Sequence, residues 1–480
     1  MRTSFRLIRA ARGGVCRAAR GGVCRAARGV ICRAACAALA LLALPACSDS
    51  PMQKSTVEII HWWNKGGEAQ AISALLDLSR NENPSVRIVD SSVPGGSYEA
   101  RLAIAGRMSG GIPPDTFQAN GGWDLMAWVL YDGQNARLSK MDAIDDLAQD
   151  WKDQVPTKVR ESVSYTDPTV NETHIYAVPL NIHRLNTLFY NRAVFEEIGI
   201  VPERDLTDLA GFFAVAEKVK QYAQETGKPI TPIALGYGQK QTWTLALVFF
   251  ENLLVAANPL VNRSEGALYE QLFSHPMPHD ALRPDILYAL EDFRRLISLA
   301  NGDAEDVVWD EAMDRVLKGE AAMTIMGDWA MGFANNPKKM TDIFGFIPMP
   351  GTSRTFVFTT DTFGFPKDAD EDTKNVLRVF GSVEGQQIFN EKKGSISARL
   401  DVKISENDDR WPTFQAFGDE TINKIAATSI LAQQTYVDAV SKALADFALH
   451  WQEGNATAVQ HTMDNYSDLL MRSCWPQCQP

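Results

Sequence analysis

From residue 48 to residue 473 the sequence contains no cysteine, and nowhere does it carry the run of ~20 apolar residues that a membrane-spanning helix needs. It also lacks the short signatures of common catalytic centres: there is no G-x-S-x-G, no H-E-x-x-H and no phosphate-binding glycine loop. Its seven histidines are scattered. Positive charge is scarce, with 47 Lys and Arg against 59 Asp and Glu and a net charge of −12. Nucleic acid and anionic lipid both call for a basic patch, so neither is expected as a partner, and the acidic balance reads as solubility. The two cysteines that close the chain, Cys474 and Cys478 in "CWPQC", suggest a disulfide in an exported protein, with little gain in stability from so short a loop. A metal pair there is disfavoured because no histidine lies nearby. No cofactor and no metal centre is expected.

The start of the chain departs from this acidic balance. The first 46 residues hold nine arginines and no lysine, aspartate or glutamate. "RAARGGVC" occurs twice there, with a variant after it. Units of eight residues are too short for a folded repeat array, which needs about 20 or more. A mis-assigned start codon or a repeat expansion accounts for them better than an arginine domain. The apolar stretch 34–44 follows, and the order basic, apolar, small residue is that of a secretory signal. It ends in Leu44-Pro45-Ala46-Cys47, which resembles a bacterial lipobox. The expectation is a signal peptide over 1–46, a lipidated Cys47, a polar tether over 47–56, and a periplasmic protein held to a membrane by its anchor. The alternative is an ordinary secretory signal with an incidental cysteine. Taking nine arginine charges from −12 leaves −21 on the mature chain. About 430 residues are too many for a single core, so two lobes are expected.

In the body of the chain, strand and helix patterns alternate. Strands are expected over 57–61, 86–89 and 116–119, with helices over 68–79 and 98–108. Residues 175–191 read as extended, and 243–257 as a buried helix, because the segment is apolar on nearly all sides. Residues 258–279 read as a surface insertion, 284–300 and 311–318 as helices, and the chain from 420 onward as helical with connectors. This is the pattern of a mostly parallel α/β sheet with helices on both faces. Ligands in such folds bind beyond the carboxyl ends of the strands. The polar and aromatic clusters found there are Trp62-Trp63, Gln118 to Asn120, Gly327-Asp328-Trp329 and Thr360-Asp361.

The segments "HWWNKGGE", "PPDTFQANGG", "YAVPLNIHRLNTLFYN", "GEAAMTIMGDWA" and "KKGSISAR" resemble the extracellular solute-binding proteins of ABC sugar importers, family 1, and within them the bacterial glucose and monosaccharide binders. Two positions depart from that group: Ser397 stands where proline is common, and Asn120 where some relatives carry histidine or lysine. The resemblance implies a two-lobed periplasmic-binding-protein-like α/β fold of type II, with a hinge and a central cleft. Lobe 1 would take 57–182 and 328–385, and lobe 2 would take 183–327 and 386–480. Crossings would fall within 180–188, near 324–328 and near 382–389. The implied partners are a monosaccharide, most simply glucose, and ABC permease subunits with a cytoplasmic ATPase, served by a monomer.

Flat indoles suit the C–H faces of a hexose, and ionised or amide groups pair its hydroxyls. The expected ligand-binding residues are Trp62, Trp63, Glu68, Gln118, Asn120, Trp243, Asp328, Trp329, Asp361 and Lys393. Gly66-Gly67 would let the backbone turn tightly toward the ligand. Structural readings stand beside these: Glu68 as a helix-start charge, Asn120 as a turn former, Asp361 as a local cap, and Trp243 as core. Trp309 reads as a core anchor or a cleft-rim residue, and His61 as a satisfied strand-end residue. Three other functions remain open. Glu68 and Asp328 could form the carboxyl pair of a glycoside hydrolase, the protein could be a sugar-sensing subunit, or the cleft could take an oligosaccharide.

Overall fold

The structure is a computed structural model. It describes residues 55–130, 140–167, 170–237, 244–257, 264–273, 279–332, 342–452 and 456–472. Cys47, Trp243, Cys474 and Cys478 lie outside the described residues. No described helix is long and apolar enough to cross a membrane.

Two apolar cores organise the body of the chain, each around its own sheet. The first sheet runs Val86–Ser92, Ser55–His61, Thr116–Asn120, Asp361–Gly364, Ala177–Pro179. Its first three strands are parallel, as the alternation with helices predicts. Asp361–Gly364 enters antiparallel between Thr116–Asn120 and Ala177–Pro179. Helix Gly66–Glu82 covers this sheet with Ala71, Ile72, Leu75 and Leu76 on its buried face, the 3–4 spacing of an amphipathic helix. The second sheet runs Phe344–Pro348, Thr187–Asn191, Ala321–Met326, Thr231–Ile233 and is largely antiparallel. Helix Leu245–Ala256, buried from Leu245 to Val255, fills the core behind it.

A third sheet joins the two: Ile396–Ser397, Asn181–Arg184, Thr355–Thr359, Asn423–Ala426. The chain leaves the first sheet at Pro179, passes through Asn181–Arg184 and enters the second sheet at Thr187. It returns through Thr355–Thr359 to Asp361–Gly364. The α/β fold is thus two-lobed, with crossing strands that hydrogen-bond to one another.

Three expectations differ from this arrangement. The second crossing lies at Thr355–Thr359, not near 324–328, because Phe344–Pro348 pairs along the whole of Thr187–Asn191 and holds the chain in the second sheet. The third lies at Asn423–Ala426 beside Thr355–Thr359, not near 382–389, since helix Val383–Lys393 buries Phe389 in the first core. Residues 344–348 therefore stand with lobe 2, and 386–398 with lobe 1. The segment read as a surface insertion contains helix Ala267–Leu272, whose Leu268, Tyr269 and Leu272 are buried. Their spacing of one, then three, places them on one face.

Candidate functional site

Between the two cores lies a cavity of about 350 Å³, within the range usual for small-molecule sites. Its first-lobe wall begins at the strand end Ser55–His61. Four side-chain bonds hold the segment Trp62 to Asn64 that follows that strand. Trp62 N–H donates to Gln118 Oε1 at 3.1 Å, and Trp63 N–H donates to His61 Nδ1 at 3.2 Å. Asn64 Nδ2 donates to the carbonyls of Trp62 and Val93, both at 3.1 Å. Because His61 Nδ1 accepts, its Nε2 carries the proton and donates to Asp90 at 2.9 Å. His61 is fully buried and satisfied, the structural role anticipated for it.

The two indoles play different parts. Trp63 is 1 % exposed and packs on Phe389 and Phe363, with ring centroids 4.9 and 5.9 Å away. Trp62 is half-buried and meets Trp63 edge-on, so it presents the freer ring to the cavity, which both line. The glycines that follow serve close approach. Gly66 has φ +55°, and a Cβ on Gly67 would sit 2.6 Å from the Gly332 carbonyl oxygen and 2.7 Å from that of Lys392. Gly67 thus admits two backbone carbonyls beneath the helix start, where the sequence suggested a turn toward ligand.

A buried polar chain floors the cavity. Lys393 Nζ meets Glu68 Oε1 at 2.7 Å, lies 3.9 Å from Asp361 Oδ2, and sits 5.1 Å from the Trp63 ring centroid. Asp361 accepts from Gln118 Nε2 at 3.1 Å and from Asn181 Nδ2 at 2.7 Å. His183 Nε2 stands 3.4 Å from Asp361, and its Nδ1 is 2.5 Å from Asp328 Oδ1. Asp328 Oδ2 accepts from Arg184 N–H at 3.0 Å. Burial pushes the Asp361 carboxyl up, but Lys393, His183 and Asn181 outweigh it and hold the group at about 2. Burial and the Lys393 ammonium pull the His183 imidazole down, yet Asp328 and Asp361 prevail and raise it above the ordinary histidine value.

The second lobe supplies the facing wall. Trp329 stands edge-on to His183 at 5.1 Å and to Trp309 at 6.5 Å. A Cβ on Gly327 would fall 1.9 Å from the Trp329 ring, so this glycine is what lets the indole fold back over the chain. Leu247, Val248 and Glu251 line the same side from helix Leu245–Ala256. At the mouth, Lys65 Nζ reaches Asp310 Oδ2 at 3.6 Å, from one lobe to the other.

Seven of the ten residues expected at a ligand site line this cavity: Trp62, Trp63, Glu68, Asn120, Trp329, Asp361 and Lys393. Gln118 and Asp328 do not line it. Gln118 stands behind Trp62 and Asp361, and Asp328 behind His183. Trp243 falls outside the described residues. Sequence reasoning missed His183, Glu251 and the cavity face of Asp310. For His183 a signal existed, since Asn181 and His183 alternate with Leu180 and Ile182 in a segment read as a crossing. Among the described residues no His, Cys, Asp and Glu cluster is arranged to hold a metal ion.

Two lobes, three crossing strands and an aromatic cavity with a charged floor define a ligand-capturing protein of the periplasmic-binding-protein type. Comparison with known proteins gives the family. The sequence model described as "Bacterial extracellular solute-binding protein" matches residues 65–387, and the chain belongs to that family. The chain is 34% identical over 74% of its length to an uncharacterised ABC transporter extracellular-binding protein of Pyrococcus horikoshii, covering 74% of that protein. It is 29% identical over 76% to a probable sugar-binding periplasmic protein of Brucella melitensis, covering 80% of it. It is 28% identical over 73% to a xylose/arabinose-binding protein of Haloferax volcanii, covering 71% of it. Among solved structures, the bacterial solute receptor AcbH, described as having an exclusive preference for β-D-galactopyranose, superposes with a TM-score of 0.68 at 16% identity, over 86% of this chain and 98% of that one.

Proposed function

We propose that this protein is the substrate-binding component of an ABC sugar importer, that its cleft captures one monosaccharide, and that glucose is the first candidate. The observation that carries the reading is the pairing of walls. Indoles from both lobes, Trp62 and Trp63 on one and Trp309 and Trp329 on the other, face a floor of Glu68, Lys393, Asp361 and His183. Indoles stack on C–H faces, and ionised groups make the stronger bonds to hydroxyls. The volume is near the lower end for small-molecule sites and suits one sugar ring. The sugar-binding names of two relatives support the substrate class.

Sugar enters the open cleft, the lobes swing on the three crossing strands, and the closed form docks on permease subunits served by an ATPase. Sugar stabilises the closed state by its greater affinity for it. The protein is read as a periplasmic monomer, exported by the segment 1–46 and lipidated at Cys47. A glycoside hydrolase built on Glu68 and Asp328 is disfavoured, because both oxygens of Asp328 are committed to His183 and Arg184 and the group does not line the cavity.

Titration calorimetry against glucose, galactose, mannose, xylose, maltose and trehalose tests the reading. One-to-one binding of a monosaccharide is the expected result. Binding of a disaccharide alone refutes the one-ring pocket, and release of free sugar from a glycoside refutes the binding-protein role.

A further inference from the structure

Helix Leu245–Ala256, "LALVFFENLLVA", is apolar except for Glu251 and Asn252. Glu251 is 4 % exposed and lines the cavity. It makes no ion pair among the described residues. Its Oε1 accepts twice, from Thr428 N–H at 2.7 Å and from the Tyr269 hydroxyl at 3.0 Å, and the Thr428 side chain also helps to hold the carboxyl's charge. Its Oε2 takes no hydrogen bond among the described residues. A buried carboxyl normally has its charge paired or its oxygens filled, because leaving them bare is costly. Here one oxygen is filled by protein, the other takes no such bond, and the residue lines the ligand cavity.

We propose that Glu251 is the group through which the second lobe reads the sugar, with Oε2 accepting a hydrogen bond from one ligand hydroxyl. The inference rests on the monosaccharide reading above and makes Glu251 a specificity-determining contact. A carboxylate accepts and does not donate, so the position opposite it must be a donor. The same carboxyl also holds the third crossing. Thr428 stands two residues past strand Asn423–Ala426, and the Tyr269 hydroxyl touches both Thr428 Oγ1 at 3.0 Å and the Ala426 carbonyl at 3.3 Å. A hydroxyl bound at Oε2 therefore meets a group already tied, through Oε1, to the strand on which the lobes turn. Burial pushes the Glu251 carboxyl up, and only the bonds from Thr428 and Tyr269 draw it back, which leaves room for a third donor to stabilise its charge.

The test uses the whole protein, wild type and Glu251→Gln, titrated with D-glucose, D-galactose and D-mannose. The monodeoxyfluoro analogues of whichever hexose binds tightest are then titrated. Fluorine replaces a hydroxyl without donating. In the wild type one fluoro position loses at least about tenfold in affinity. In Glu251→Gln the parent sugar binds at least about tenfold more weakly, and the penalty at that one position shrinks, because the new amide NH2 can face fluorine. Thermal unfolding stays close to wild type, since the amide oxygen still accepts from Thr428 and Tyr269. Unchanged affinity for the parent sugar overturns the proposal, and so does a fluoro profile parallel to the wild type. If Glu251→Gln does not fold, Glu251→Asp serves: retracting the acceptor by one methylene must weaken the parent sugar while keeping the fluoro penalty at the same position. A wild type that binds none of the three hexoses refutes the hexose form of the monosaccharide reading on which the proposal rests, an outcome distinct from a wild type that binds and a variant that binds equally well.

Discussion

Replacing Lys393 by methionine removes the ammonium from the floor of the cleft while keeping the side chain's bulk. Lys393 is 2 % exposed, and its carboxylate partners Glu68 and Asp361 are 25 % and 9 % exposed. Taking one partner out of a buried pair costs about 3–5 kcal/mol, and the partial exposure of Glu68 places this case near the lower figure, about 3 kcal/mol. A second route gives a similar size. Asp361 stands at about 2 against an ordinary 3.8, and a depression of that order corresponds to about 2 kcal/mol, shared among Lys393, His183 and Asn181. The sign follows from the depressed value. Asp361 contributes stability above its unfolded pKa, and the contribution is lost as pH falls through about 2. In Lys393→Met the Asp361 carboxyl rises and protonates sooner, so the gap between the proteins is widest at neutral pH and closes as acid is added. Urea unfolding of both proteins from pH 7 down to about pH 2 measures this, because the Asp361 contribution fades between about 4 and 2. A gap under about 0.5 kcal/mol at pH 7, or one that does not change with pH, would falsify the account of the charged floor.

Other outcomes follow from the same geometry. Trp62→Ala should weaken sugar binding by at least about tenfold with little loss of stability, whereas Trp63→Ala should cost about 3 kcal/mol or more of folding stability because that ring is core; affinity and urea titrations together separate the two. Asp328→Asn should act on the site only through His183, so it should lower the imidazole's pKa in an NMR titration, and an unmoved titration contradicts the contact at Nδ1. His183 has a raised folded pKa, so its contribution to stability is full below about pH 6.5 and fades as pH rises through the folded value; His183→Gln should flatten that alkaline decline. Lys65→Ala, which removes an exposed pair across the mouth, should change affinity less than about threefold and lose even that effect in high salt; a larger, salt-insensitive loss would show Lys65 touching the ligand.

The first lobe was the more legible half of this molecule. Its strands alternate with amphipathic helices, and period alone marks 57–61, 86–89 and 116–119 close to where they stand. The crossings were harder. Nothing local in "GFIP" says that Phe344–Pro348 will pair back onto Thr187–Asn191, or that "NKIA" will be a third crossing strand, since each partner is far away in sequence. At the site, strand-end chemistry located the neighbourhood but not the depth. Gln118 and Asp328 have the residue types of ligand contacts and sit one side chain behind them: Gln118 shares a face of strand Thr116–Asn120 with Asn120 but lies deeper along it, and Asp328 opens the short turn Asp328–Gly332, where its carboxylate is taken by His183. Of the adjacent lysines, one is exposed and one buried, as the helix Val383–Lys393 requires, and Lys393 is the one inside. Glu251 was the most visible signal passed over, a single carboxylate in a helix otherwise fit for a core.

The most direct test is a crystal structure of the protein grown with the sugar that binds tightest in calorimetry. The account predicts one sugar ring between Trp62 and Trp309–Trp329, with hydroxyls in hydrogen-bond reach of Glu68, Asp361 or Lys393 on one lobe and of Glu251 on the other. A sugar bound outside this cleft, or one seated in it without touching the second lobe, contradicts the central claim that the two walls close on a single ligand.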